Sequence, residues 1–110
     1  MKKDPLVYID DIRDSIKAIK LYTAGLTKED FFKSAEKQDA VYRRIEIIGE
    51  AANRLPEEFR NQYPMIPWHQ IVGMRNVLIH EYDNIDLDRV WETIRKDIPK
   101  LEGYIKSIPA

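Results

Sequence analysis

The chain has 110 residues, 18 Lys and Arg against 19 Asp and Glu, and a formal net charge of −1. This length fits one domain, residues 1–110. A 44% hydrophobic content is enough for a packed core and excludes a disordered chain. The charge balance excludes nucleic-acid binding by bulk positive charge, and the absence of cysteine excludes disulfides, thiolate metal sites and a cysteine nucleophile.

Four glycines and a dominant period near 3.6 residues read as an all-α chain. Asp4 is the expected N-cap of a first helix with Pro5 in its first turn. Leu6, Ile9, Ile12, Ile16 and Ile19 form its apolar stripe, and Gly25 is its expected stop. Thr27 with Asp30 reads as a short capping box opening a short helix through Phe31 and Phe32. A further helix is predicted from about Gln38 to Leu55, with Val41, Ile45, Ile48, Ala52 and Leu55 as its core stripe. Gly49, Ala51 and Ala52 are small and predict close approach of another helix. Pro56 stops this helix, and Glu57 to Tyr63 make one or two turns.

Pro67 opens a predicted helix running to about Glu81. Ile71, Val72, Met74, Val77, Leu78 and Ile79 surround most of its circumference, which predicts a segment buried centrally or shared between subunits. Asp86 is the expected N-cap of a last helix, with Leu87, Val90, Ile94, Ile98 and Leu101 on its stripe. Pro99 should kink or divide it. The expected architecture is an antiparallel bundle of four long helices plus one short helix, paired as a homodimer.

Chemistry concentrates in Arg75-Asn76-Val77-Leu78-Ile79-His80-Glu81-Tyr82. Polar groups interrupt the most apolar stretch, and they need either a buried polar network or a site. On an α-helix Asn76 and His80 share a face, while Arg75 and His80 lie about 140° apart and about 7.5 Å along the axis. A second copy of the helix would make their convergence easier. Arg offers a rigid donor fork to phosphate oxygens, and His moves protons near neutral pH. RNA cleavage by its own 2′-hydroxyl needs a base, an acid and a cation, and no metal ion.

Arg-x4-His, with Asn after the Arg and Tyr two after the His, resembles the motif of the HEPN ribonuclease superfamily. The strings IEIIGEAANRLP, IPWHQIVGMRNVLIHEY and DLDRVWETIRKDIPKL are similar to its HepT branch. The resemblance spans roughly Asp10 to Tyr104. It implies a homodimeric helical bundle and a metal-independent endoribonuclease, the toxin half of a toxin–antitoxin pair. It further implies that Arg75 stabilises the scissile phosphate, His80 is the general acid/base, and Asn76 fixes His80 or the cleft. Tyr82 would accept AMP from a partner, a minimal nucleotidyltransferase antitoxin, placing charge and bulk where substrate phosphate must sit.

On the third helix Arg43, Glu46, Glu50 and Asn53 share a face. Glu46 or Glu50 is a candidate to hold Arg75 or orient His80, against the simpler reading of a solvated face paired with Arg43 and Arg54. Trp68 and Trp91 read as core or interface anchors, His69 as structural, and Lys33, Lys37, Arg43 and Arg44 as ordinary charged surface. Asp10-Asp11 lacks convergent ligands, so no metal and no cofactor is expected. No apolar run approaches the ~20 residues that span a membrane, and acids interrupt the N-terminal apolar positions, so no signal peptide is read and a cytoplasmic location is expected. The second functional reading is a non-catalytic nucleotide-binding or docking module that partners a nucleotidyltransferase.

Overall fold

Asp4 opens the first helix, α1 (Pro5–Thr23), by accepting the Leu6 N–H at 2.9 Å. Pro5 sits in the first turn, where no backbone donor is required. The computed structural model describes residues 4–79 and 85–109, and every regular element among them is helical. Ile9, Ile12, Ile16 and Ile19 bury one face of α1. Past the helix end the chain turns at Gly25, whose φ of 73° is left-handed backbone that a Cβ would strain.

The capping box forms in full at α2 (Lys28–Phe32). The Thr27 hydroxyl accepts the Asp30 N–H, and the Asp30 carboxylate accepts the Thr27 N–H, each at 3.1 Å. The bond from the Thr27 backbone, then the one from its side chain, holds the Asp30 carboxyl below its ordinary range. Its contribution to stability is therefore present above the ordinary carboxylate pKa and is lost as pH falls through the depressed value.

The next helix, α3 (Ala35–Arg54), begins three residues before the expected Gln38, because Ser34 caps it by accepting the Lys37 N–H at 3.1 Å. Its buried stripe of Val41, Ile45, Ile48 and Ala52 packs chiefly on α1. Tyr8 and Asp11, early in α1, share a recess with Glu50, Ala51 and Arg54, late in α3, so the two helices run antiparallel. After Pro56 comes α4 (Glu57–Asn61). Trp68 anchors the following turn from within: its indole N–H donates to the carbonyls of Arg60 and Tyr63, both at 3.2 Å, and its side chain is buried.

Asp86 caps α6 (Leu87–Glu92), accepting the Arg89 N–H at 3.3 Å. A wider π turn over Thr93–Asp97 leads without a break into α7 (Ile98–Ile105), and the Ile98 N–H reaches five residues back to the Thr93 carbonyl. Pro99 explains the widening. It lacks an N–H, and in a regular α-helix its ring would press on the Arg95 carbonyl. The expected disruption thus takes the form of a π turn just before the proline.

The Leu87–Ile105 rod lies antiparallel to α1. Lys20 meets Glu102 at 2.9 Å, while Arg13, two turns earlier on α1, donates to the carbonyls of Ile108 at 2.6 Å and Ile105 at 3.5 Å. The guanidinium thus ties α1 to the end of α7 and to the turn that follows it. Arg13→Ala is expected to lower unfolding free energy by about 1–2 kcal/mol, measured by urea denaturation. An unchanged midpoint would mean water serves those carbonyls equally well.

Among the described residues three long helical rods form rather than four. The predicted helix from Pro67 to Glu81 is instead α5 (Trp68–Gly73) followed by a 3₁₀ turn over Met74–Leu78, and Ile79 is already extended at φ −83°, ψ 131°. Gly73, Asn76 and Val77 have weak helix propensity, and the tighter turn ends with the Ile79 N–H on the Asn76 carbonyl at 3.1 Å. The expected burial of this segment is also incomplete. Ile71 is buried, Val72, Met74, Val77 and Leu78 are half-buried, and Ile79 is 70% exposed. No described helix is long and apolar enough to cross a membrane.

Candidate active site

The tight 3₁₀ turn carries Arg75 and Asn76 on the surface of the bundle, and both side chains are exposed. The turn rests on α3. The point of closest approach is Gly49, buried in the middle of α3. A Cβ there would lie 3.2 Å from Arg75 Cδ, 3.2 Å from the Val72 carbonyl oxygen and 3.3 Å from Arg75 Cβ. The aliphatic stem of Arg75 therefore crosses α3 at the one residue with no side chain. Glycine in a helix interior costs about 1 kcal/mol relative to alanine, so its presence here fits the close contact. The small residues of α3 predicted an approaching helix. They could not show that the approaching group includes the arginine of the motif, which requires the tertiary register.

His80 and Tyr82 lie outside the described residues. The shared α-helical face expected for Asn76 and His80 presumed a helix reaching Glu81. Among the described residues helical hydrogen bonding ends at Leu78, and Ile79 is extended. The 3₁₀ turn also rotates residues by about 120° each rather than 100°, so Arg75 and Asn76 leave α5 at angles the periodic reading did not give.

Glu46 and Glu50 are exposed on α3. Glu46 pairs with Arg43 at 3.7 Å, an i,i+3 contact on a solvated face. Glu50 lines the recess shared with Tyr8, Asp11, Arg43 and Arg54. Among the described residues no ion pair joins either carboxylate to Arg75. Its guanidinium has no carboxylate within ion-pair reach among those residues. Tyr42 stands one heptad before Gly49 on the same side of α3. Burial, then the charge of Asp39, raises its phenol above the ordinary value, so the hydroxyl stays neutral. Among the described residues no group of three or more His, Cys, Asp or Glu is placed to hold a metal ion.

The chain belongs to the HepT-like ribonuclease family, whose model, described as ribonuclease HepT-like, matches residues 12–108. It is similar to a protein of Methanocaldococcus jannaschii named "Gamma-glutamylcyclotransferase and putative RNase", with 50% identity over 98% of this chain. The chain spans about half of that relative, 49% of its length. It is 38% identical to "Probable ribonuclease HepT" of Thermococcus cleftensis, over 98% of both chains. It is 42% identical to "Putative RNase" of Caldanaerobacter subterraneus subsp. tengcongensis, over 96% of this chain and 95% of that one. No solved structure matches it.

Proposed function

We propose that this chain is a metal-independent endoribonuclease and the toxin of a toxin–antitoxin pair. In this reading Arg75 binds the scissile phosphate and stabilises the charge that develops on it. His80 moves the proton between the 2′-hydroxyl and the leaving 5′-oxygen, and Asn76 holds the histidine or the cleft. Tyr82, two residues on, accepts AMP from a nucleotidyltransferase antitoxin, and the added phosphate blocks the seat of the substrate phosphate. The observation that carries the reading is the exposed Arg75, unpaired with any described carboxylate, on a turn that leads directly to His80 in a chain of the HepT-like ribonuclease family.

One further observation supports a homodimer with the site at its interface. The most apolar stretch of the sequence ends in side chains that its own bundle leaves half covered, with Ile79 70% exposed. A second copy placing the same stretch against it would cover them and bring two arginine–histidine pairs together. Ile79→Asp is expected to leave the helical content intact, since the side chain is exposed, and to convert a dimer to a monomer with at least tenfold less cleavage. Sedimentation beside the activity assay reads both. A monomeric wild type, or a dimeric and fully active variant, contradicts the interface.

The test of the function is RNA cleavage by the purified chain in EDTA, after intact mass has excluded an AMP adduct. The expected result is cleavage without metal. A folded, unmodified protein that cuts no RNA class but is adenylylated by a nucleotidyltransferase would favour the docking-module reading instead.

A further inference from the structure

We infer that Gly49 is a positioning residue for Arg75: its missing side chain sets where the guanidinium sits over α3, and this seating is required for RNA cleavage. The inference rests on the ribonuclease reading. A Cβ on Gly49 would meet three atoms at 3.2–3.3 Å, and two of these, the Val72 carbonyl oxygen and Arg75 Cβ, cannot move without the backbone. The third, Arg75 Cδ, is the atom from which the guanidinium is directed. A methyl group at this point lifts the turn from α3 by a few tenths of an ångström and swings the end of the arginine further. The neighbouring glycines behave differently. A Cβ on Gly73 would stand at an ordinary 3.6 Å from the Asn76 amide nitrogen, and one on Gly103 would meet nothing within 4 Å. The demand for glycine is thus specific to the position beneath Arg75. A helix interior otherwise selects against glycine, so a requirement at the site accounts for a residue that local propensity disfavours.

The experiment is a double-substitution cycle on the full chain. Gly49→Ala is expected to lower kcat about ten- to hundredfold, the range that small displacements of a reacting group produce, with little change in KM or thermal midpoint. Gly103→Ala serves as the control and keeps full activity. In the Arg75→Ala background Gly49→Ala should cause no further loss, because the group it displaces is gone. An equal loss in both backgrounds would overturn the inference by assigning the effect to the Val72 carbonyl and the bundle. Full activity of Gly49→Ala would overturn it outright. The side-chain Nε–H resonance of Arg75, identified by its disappearance in Arg75→Ala, gives a reading that needs no activity. It should shift in Gly49→Ala, and an unshifted resonance rejects the seating. If the wild type cuts no RNA, the ribonuclease reading fails, and the resonance alone decides whether Gly49 seats Arg75.

Discussion

His80→Ala is expected to reduce RNA cleavage by about 10²–10⁴-fold, the usual contribution of a positioned general acid/base, with helical content and thermal midpoint unchanged. Arg75→Ala should cost about 10²–10³-fold, as expected for losing one preorganised donor to the developing charge. Arg75→Lys should recover only part of this, because an ammonium keeps the charge but loses the planar fork. The expectation for Arg75 is favoured by its surroundings. It is exposed, it has no ion pair with a described carboxylate, and its stem rather than its head makes the close contact with α3. Removing it should therefore leave the core intact. Single-turnover cleavage of a labelled RNA by the three variants and the wild type measures all of these. A His80→Ala protein that is folded and cuts RNA at the wild-type rate would remove His80 from the chemistry.

Phe31→Ala is expected to lower the unfolding free energy by about 3–5 kcal/mol, a large part of the roughly 5–15 kcal/mol that holds a domain of this size. Phe31 is fully buried, and its ring stacks at a tilt on Trp91 with centroids 5.5 Å apart, tying α2 to α6. Five residues do not sustain a helix by propensity alone. The capping box starts α2, and Phe31 fixes it to the bundle. Arg95, in the π turn, lies 5.7 Å from the centre of the Trp91 ring, a cation–π contact. Chemical denaturation followed by circular dichroism gives the value. A loss below about 1 kcal/mol would mean the space closes by collapse of its neighbours.

Local rules made much of the fold legible. The caps at Asp4, Thr27 with Asp30, and Asp86 follow from side chains that reach only two or three residues, and each forms as the sequence suggests. Ser34 was less visible. This cap lies about two turns before Val41, the first buried position of α3, so the apolar stripe does not mark it. The segment after Pro67 departs furthest from expectation. Apolar residues spaced for a helix do not separate an α turn from a 3₁₀ turn over five residues, so α5 looked longer than it is. At the candidate site the sequence displayed the chemistry of Arg75, Asn76 and His80, while the support of Arg75 by Gly49 depends on residues 26 apart meeting in space. Glu46 shows the reverse. Its carboxylate looked available to Arg75, yet the nearer Arg43 on its own helix pairs with it.

The ends left on cleaved RNA distinguish attack by the RNA's own 2′-hydroxyl from attack by water. In-line attack by the 2′-hydroxyl, with Arg75 on the phosphate and His80 moving the proton, predicts a 2′,3′-cyclic phosphate on one fragment and a 5′-hydroxyl on the other, formed in EDTA. Mass spectrometry of the products from a defined oligonucleotide reads both ends. Fragments carrying a 5′-phosphate and a 3′-hydroxyl, formed only with divalent metal, would contradict the account, because water activated by a metal and not the RNA's own hydroxyl would then be the nucleophile.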